Sequence, residues 1–416
     1  ELNDPVQFVD GKEVSVAYAA KVVNSEEDAD RASLLLFLAD EAASQMNQGM
    51  AIPALDEVCE SVGVKSVERL FVSNSDMARS RGMHRWYLVS FDDQVNPFEM
   101  AELFSSLSCV DKVQYNTVVS RDYGSEGTPY SYAPKAYGEF ALPYNDPLLP
   151  DQWHYVNNLD ISVAETSRSG ADINVKNAWK LCAGDPKVIV AVCDEGVKYN
   201  HPDLIDNMWV NEDEIPGNGI DDDNNGYIDD IHGWNFLSSE EFPKEIDWTE
   251  KGDKGHGTHV AGTVAAVNNN GLGVGGVAGG SGKGDGVKMV SCQVFSGNSS
   301  ATIAARAKAY EYAANNGACI IQCSFGLPGG NVTSDAVFEK TYNVEVAGIE
   351  YFVNYRQAYS PVDRNFAIFA SGNDGYHLAG YPAAHRDVIA VSSFGPDFLP
   401  AVYTNYGPGT NISAPG

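Results

Sequence analysis

The sequence has little positive charge and lacks long apolar runs. Its 416 residues include 27 Lys and Arg against 57 Asp and Glu, a formal net charge of −30 at pH 7. So acidic a surface repels phosphate backbones and anionic headgroups, which excludes nucleic acid and anionic membrane surfaces as partners. No apolar stretch approaches the roughly 20 residues that a membrane-spanning helix needs, so we predict no transmembrane segment.

Cysteine is present, but not in the pattern of a disulfide scaffold. The seven cysteines are an odd number, and most lie in apolar segments, so we predict buried free thiols. The chain begins at Glu1, and its first methionine is Met46. We therefore expect that the natural start has been removed.

The first part of the chain predicts a small α+β domain. An acidic, Ala-containing stretch at 26–43 indicates helix, whereas 86–91 and 110–119 read as strands on either side of an amphipathic helix at 97–107. Strand, helix and strand in this order are typical of an α+β unit, which we assign to residues 1–121.

A linker and a second domain follow. Residues 122–144 are dense in Gly and Pro, as linkers are. From 145 to 416, short apolar runs alternate with helical segments, of which 302–316 is the clearest. The alternation predicts an α/β fold with a doubly wound, mostly parallel sheet. The predicted strands are 187–193, 287–294, 318–323, 366–370 and 388–391.

Small and polar residues follow three of these strands, at 194–196, 324–326 and 371–373. The carboxyl ends of parallel strands meet at one edge of a sheet, which is where open α/β sheets bind ligands. We therefore expect these segments to contribute to one site.

The octet GHGTHVAG at 255–262 places His256 where a loop enters a helix. The positive end of a helix dipole disfavours imidazolium, which keeps a histidine neutral, as a general base must be. Asp194 at the end of a buried strand is suited to orient such a base. Two alternatives remain: a capping histidine in a Gly-rich turn, or a metal site of His256 and His259, although no third ligand stands at a zinc spacing.

The octet, together with VAVCDEG at 190–196 and FASGNDG at 369–375, resembles the histidine, aspartate and asparagine motifs of subtilisin-like serine proteases (subtilases, peptidase S8 family). The resemblance implies that His256 is the base, that Asp194 orients it and that Asn373 donates to the oxyanion. Glu195 departs from the family, which usually has Ser or Thr there, and we expect its side chain to point outward.

The resemblance also implies a peptide or protein substrate and a secreted or cell-surface location. The N-terminal domain would be a propeptide that acts as a folding aid and an intramolecular inhibitor of a zymogen. Two walls of a substrate pocket are implied, one at Ser324, Phe325 and Gly326 and the other at Ala370, Ser371 and Gly372.

The nucleophile expected from the family motif Gly-Thr-Ser is missing from these residues. The nearest match, Gly-Thr-Asn at 409–411, has no serine, and Ser413 stands in a different setting. We expect a separate C-terminal chain or segment to carry the serine, and we predict that residues 1–416 alone are inactive. Two rival functions are a binding or inhibitory protein on a dead subtilase scaffold and a metal-dependent hydrolase that uses His256 and His259.

An acidic loop predicts a calcium site. Oxygen-bearing side chains recur at Asp221, Asp223, Asn225 and Asp229, and Tyr227 offers a carbonyl, as in an EF-hand loop. His232 stands where that loop has its final Glu, so we expect Asp230 to substitute. Dense carboxylates favour Ca²⁺ over Zn²⁺. The alternative is a solvated acidic loop.

A second calcium site is implied by resemblance to the strong site of subtilisin and thermitase. The side chains of Asp146, Asp203 and Asn270 would bind the ion, and the carbonyl groups of Val267, Leu272 and Val274 would complete its coordination.

Overall fold

The computed structural model describes residues 7–119, 142–159, 163–237, 245–249, 255–296 and 301–416. Contacts divide the chain into two compact units. Unit 1 comprises residues 1–119, 301–311 and 336–351, and unit 2 comprises 120–300, 312–335 and 352–416. Most of the linker predicted at 122–144 lies outside the described residues, so that boundary stays a prediction.

Strands and helices are interspersed through the described chain. The strands are β1 Gln7–Val9, β2 Lys12–Val14, β3 Ala29–Leu38, β4 Ser66–Arg69, β5 Trp86–Ser90, β6 Val110–Val119, β7 Ile189–Glu195, β8 Gly233–Asn235, β9 Lys288–Phe295, β10 Ala301–Thr302, β11 Ile320–Cys323, β12 Phe366–Ala370, β13 Val388–Phe394 and β14 Ile412–Pro415. The α-helices are α1 Val16–Lys21, α2 Asp40–Met46, α3 Pro53–Val62, α4 Asp76–Ser80, α5 Pro97–Ser105, α6 Val175–Ala178, α7 His256–Ala265, α8 Ile303–Asn315, α9 Asp335–Thr341 and α10 Asn343–Asn354.

Unit 1 is built on an antiparallel sheet in the order β10-β6-β3-β5-β4. Strand β3 lies inside this sheet, and its Leu34 and Leu36 are fully buried in a core that also contains Phe104 of α5. Burial of each such side chain stabilises the fold by roughly 1.5–3 kcal/mol. The helix predicted across 26–43 is therefore wrong for most of its length, because the run of leucines fits the interior of a sheet.

Unit 2 contains a seven-stranded sheet in the order β14-β13-β12-β11-β7-β9-β8, in which every pairing is parallel. The predicted α/β class with a parallel sheet is confirmed. Each predicted apolar run from 187 onward corresponds to one of its strands, and β7 and β9 are buried on both faces, which requires no alternation of polar residues.

Helix α7 packs against β7 and β9 of this sheet. Its Ala261 and Ala265 are fully buried, and they belong to the same core cluster as Val192 of β7 and Met289 of β9. The small side chains let the helix approach the sheet closely, which brings its first turn to the carboxyl end of β7.

One face of the sheet is only partly covered by the described residues across β11, β12 and β13. Gln322, Ile368 and Ile389 stand in register on that face, and each is partly exposed. Their neighbours Ile321, Ala367 and Val388, which point to the opposite face, are buried. Parallel sheets are normally covered on both sides, so the partial exposure of these three side chains departs from the usual pattern.

Among the described residues, none of the helices has both the length and the apolar character that a membrane span requires.

Candidate active site

The first turn of α7 lies against the end of β7. Gly255 precedes the helix with a φ of 74°, and its lack of a side chain leaves the first N–H groups without a cap from that position. A Cβ on Gly257 would lie 2.3 Å from the carbonyl oxygen of Glu195, so only glycine permits this approach. His256, the first helical residue, is thereby held beside the strand end.

His256 and Asp194 form a hydrogen-bonded pair. The imidazole Nδ1 lies 2.7 Å from Oδ1 of Asp194, a carboxylate that is buried, whereas the histidine side chain is 37% exposed. An imidazole that donates through Nδ1–H carries its lone pair on Nε2, the tautomer that a general base requires. The same Oδ1 accepts the backbone N–H of Glu195 at 2.7 Å, which fixes the carboxylate.

Glu195 does not point outward, and that expectation is wrong. Its side chain is buried, and Oε2 accepts the backbone N–H of His256 at 3.0 Å. The helix start explains this orientation, because α7 offers an N–H donor and a positive dipole end that Gly255 cannot satisfy. A carboxylate from a neighbouring strand therefore caps the helix beside the histidine–aspartate pair.

The three strands β7, β11 and β12 are neighbours, and their registers bring the other expected residues to the same edge. Cys323 pairs with Cys193 and with Phe369, so the positions after these residues lie side by side. Asp194, Ser324 and Ala370 occupy those positions, and Asn373 follows three residues after β12 with its side chain exposed.

The two expected pocket walls differ in burial. Phe325 is buried between Phe295 and Phe369, with ring centroids 5.4 and 5.7 Å away, so it supports the wall from behind. Ser324 Oγ accepts a hydrogen bond from Gln322 at 2.7 Å. Gly326 follows Phe325 on this wall, and Ala370, Ser371 and Gly372 lead into the loop that carries Asn373.

The acidic loop brings together three carboxylate side chains, and this set differs from the ligands that were expected. Oxygen atoms of Glu214, Asp221 and Asp223 all lie within 4.8 Å of one another. Glu214 was missed because it precedes the loop, whereas the EF-hand pattern places its last ligand after it. Three carboxylates without nitrogen or sulfur donors suit a hard cation such as Ca²⁺.

Four other expected ligands lie outside that set of three carboxylates. Asp229 accepts the N–H groups of Asn218 at 3.1 Å and Gly219 at 2.9 Å. Asp230 is fully buried and accepts the Tyr312 hydroxyl at 2.6 Å; burial raises the pKa of this carboxyl to about 7. The remaining two side chains pack nearby: Asn225 donates to Asp223 at 3.0 Å and Tyr227 is buried.

The second expected calcium site is assembled around two buried carboxylates. Asp146 accepts the N–H groups of Asn269 and Asn270 at 2.8 and 3.1 Å. Asp203 accepts the Asn270 amide at 2.8 Å and the Val274 N–H at 3.0 Å. Burial, with a smaller contribution from the charge of Asp146, raises the pKa of Asp203. Val267, Leu272 and Val274 belong to the same loop, but N–H groups face both carboxylates in this structure, so the second calcium site stays a prediction.

The alternative zinc site finds no support in the described chain. His259 is exposed one turn along α7, and neither it nor His256 belongs to a group of three potential metal ligands among the residues described.

Known proteins were compared with this chain. The family model described as "Subtilase family" (Peptidase S8) matches residues 185–416, more than half of the chain. Halolysin from Haloferax mediterranei is 31% identical over 244 residues, 59% of this chain and 38% of its own length. Thermitase from Thermoactinomyces vulgaris is 29% identical over 59% of this chain and 68% of its own.

Among solved structures, fervidolysin from Fervidobacterium pennivorans aligns with a TM-score of 0.54 at 18% identity, over 95% of this chain and 48% of that one. At this identity the likeness establishes the fold alone. The aligned part of this chain corresponds to 38% of the length of halolysin, so the chain spans well under two thirds of that relative.

Proposed function

The chain belongs to the subtilase family, and from that premise we propose that it supplies the aspartate–histidine part of a serine endopeptidase. The hydrogen bond between His256 and Asp194 at the carboxyl edge of the parallel sheet is the observation that carries this proposal. Export to the cell surface or the medium is proposed from the family alone.

The reaction follows from the geometry once a seryl hydroxyl stands beside His256. The imidazole takes the hydroxyl proton as Oγ attacks the peptide carbonyl carbon, and Asp194 stabilises the imidazolium that forms. Asn373 donates to the oxyanion. The C–N bond then breaks, the imidazolium protonates the leaving amine, and water releases the acyl group by the same steps.

We propose that a polypeptide segment carrying this serine covers the open face of the sheet at β11, β12 and β13. The partly exposed apolar side chains Ile368 and Ile389 support the proposal, since burying them is favourable. Either a separate chain or a longer form of the same chain satisfies the chemistry.

Residues 1–416 contain no Gly-Thr-Ser, so we expect this chain alone to hydrolyse no peptide amide. The measurement is release of chromophore from peptide anilides, with a fluorophosphonate probe to label any activated serine. Turnover above about 1 s⁻¹, the low end of ordinary enzymes, would refute the expectation. The complete gene product is the control: its labelling supports the endopeptidase, whereas failure to label favours a binding protein on an inactive scaffold.

We propose that the N-terminal domain is an intramolecular chaperone and inhibitor. Within unit 1, β6 pairs with β10, which lies in the family-matched region, and Asn116 accepts the N–H of Ala304 at 3.1 Å. Glu311 of α8 is buried and accepts the N–H groups of Val72 and Ser73 at 3.0 and 2.7 Å. These contacts tie the domain to segments of the matched region.

Glu311 makes the stability of unit 1 depend on pH. Burial raises its pKa to about 7, although the N–H groups of Ser73 and Val72 lower it. Because an exposed Glu has a pKa near 4.3, the stability contributed by Glu311 is complete below about pH 4.3 and is lost as the pH rises through about 7. We expect the free energy of unfolding of wild type relative to Glu311→Gln to fall by about 1 kcal/mol per pH unit between pH 5 and 7.

Urea unfolding at pH 5, 6, 7 and 8 measures this difference. The exposed Glu57 of α3 provides the control, because Glu57→Gln should leave the slope unchanged in this range. Parallel pH profiles for wild type and Glu311→Gln would contradict the assignment.

A further inference from the structure

A buried asparagine holds the loop that carries Asn373. Asn405, which lies between β13 and β14, has no exposed surface. Its Oδ1 accepts the backbone N–H groups of Asp374 at 2.9 Å and Tyr376 at 3.0 Å, and its Nδ2 donates to the Asp374 carboxylate at 3.2 Å. Both lone pairs of the amide oxygen are therefore used on the same short loop.

The backbone of Asn405 forms hydrogen bonds with the residues that precede Asn373. Its N–H donates to the carbonyl of Gly372 at 2.9 Å, and its carbonyl accepts the Ser371 hydroxyl at 3.0 Å. Gly372 has a φ of 110°, and a Cβ there would lie 2.3 Å from Nδ2 of Asn405, so only glycine permits this contact. Asn405 thus fixes the residues that precede and follow Asn373.

The hydrogen bonds around Asn405 also extend toward the opposite wall of the expected pocket. The Asp374 carboxylate that accepts from Asn405 also accepts the N–H of Gly329, at 2.8 Å, in the segment after β11. Asn405, through Asp374, therefore links the loop after β12 to the loop after β11. This bridge, together with the hydrogen bond from the N–H of Leu327 to the carbonyl of Tyr381, connects the segments that follow the two strands.

We propose that Asn405 is a positioning residue for the oxyanion-stabilising amide of Asn373; this inference rests on the endopeptidase function proposed above. An oxyanion donor is effective when it is preorganised to within about 0.5 Å of its working geometry. The side chain of Asn373 is exposed, so its placement depends on the backbone on either side of it. Asn405 holds that backbone from a site where it touches no substrate.

The test compares kcat and KM for peptide anilide hydrolysis by the complete gene product and its variants. We expect Asn405→Ala to lower kcat by about 10- to 100-fold, the range that follows from a displacement of about 1 Å, with KM changed by less than about threefold. Asn365 is the matched control, because it is also buried and donates to the carbonyls of Phe352 and Tyr355 at the opposite end of β12. Asn365→Ala should lower stability but leave kcat unchanged, and an equal loss of kcat in both variants would overturn the inference.

A double-mutant cycle identifies the route of the effect. In the Asn373→Ala background, which should itself cost about 10²- to 10³-fold in kcat, Asn405→Ala should add less than about threefold. Full additivity would overturn the positioning role and leave the endopeptidase function intact. No effect of Asn373→Ala would instead overturn the proposed oxyanion role, and the positioning role with it.

Hydrogen exchange on residues 1–416 provides a readout that needs no activity. Asn405→Ala should speed exchange at the amides of Asp374 and Tyr376 by at least about tenfold, whereas the control Asn365→Ala should leave their exchange unchanged relative to the rest of the sheet. Unchanged exchange in Asn405→Ala would overturn the proposal even if the complete gene product cleaves no peptide.

Discussion

Replacement of His256 by alanine is expected to lower kcat for peptide hydrolysis by the complete gene product about 10⁶-fold, the scale on which loss of the base disables a serine–histidine–aspartate centre. Without the imidazole, no group accepts the serine proton or returns it to the leaving amine. Asp194→Asn should cost about 10⁴-fold, because an amide beside Nδ1 favours the wrong tautomer. Steady-state hydrolysis of a peptide anilide measures both losses.

His259 is the matched control for this experiment. It lies one turn along α7 from His256, is exposed and should tolerate alanine with less than about twofold change in kcat. A His256→Ala variant that keeps more than about one hundredth of the activity would contradict the assignment. Equal losses from His256→Ala and His259→Ala, together with abolition of activity by a chelator, would favour a metal-dependent hydrolase.

Removal of calcium with excess chelator should lower the melting temperature of residues 1–416 by about 10 °C. At a free concentration 1,000 times Kd, a bound ion contributes about 4 kcal/mol, and each kcal/mol is equivalent to about 2–4 °C for a unit of this size. The physical cause is repulsion among Glu214, Asp221 and Asp223, whose oxygens crowd within 4.8 Å. Differential scanning calorimetry with and without calcium measures the shift.

Variants test the two proposed calcium sites separately. Glu214→Gln with Asp223→Asn should remove part of the calcium-dependent shift, and Asp203→Asn should remove another part. Asp222→Asn is the control, since Asp222 accepts from Ile215 and Asn218 and lies outside the set of three carboxylates. A melting curve that excess chelator leaves unchanged would count against both sites.

The parallel sheet was predictable because its signal is local. Each strand of unit 2 from β7 to β13, apart from the short β8, is visible in the sequence as a run of mainly apolar residues that is followed by small or polar ones. Strand β3 was not predictable in the same way, since alanine and acidic residues around it favour helix. Its place inside the sheet depends on pairing with β5 and β6 on either side, and the burial of Leu34 and Leu36 depends on packing against helix residues such as Phe104, which is long-range information.

The residues of the site show the same contrast between local signals and long-range contacts. His256 and Asp194 each stand in a short motif, so their pairing could be expected from the sequence. The inward turn of Glu195 depends on an uncapped helix that begins 61 positions later, and the bond between them crosses that separation. Asn405 shows no local signal either, because its importance comes from contacts with residues 371–376. Local sequence motifs do not predict long-range hydrogen bonds of this kind.

The cysteines of the parallel sheet have a practical consequence. Cys193 pairs in register with Cys292 of β9 and Cys323 of β11, directly before Asp194, and all three cysteines are buried and form no disulfide. Burial raises the pKa of Cys193 and of Cys292 well above the ordinary value, whereas Cys182 is exposed. A maleimide added to the folded protein therefore meets Cys182 first. The slower rate at which the three strand thiols are alkylated would report how often β7, β9 and β11 open locally.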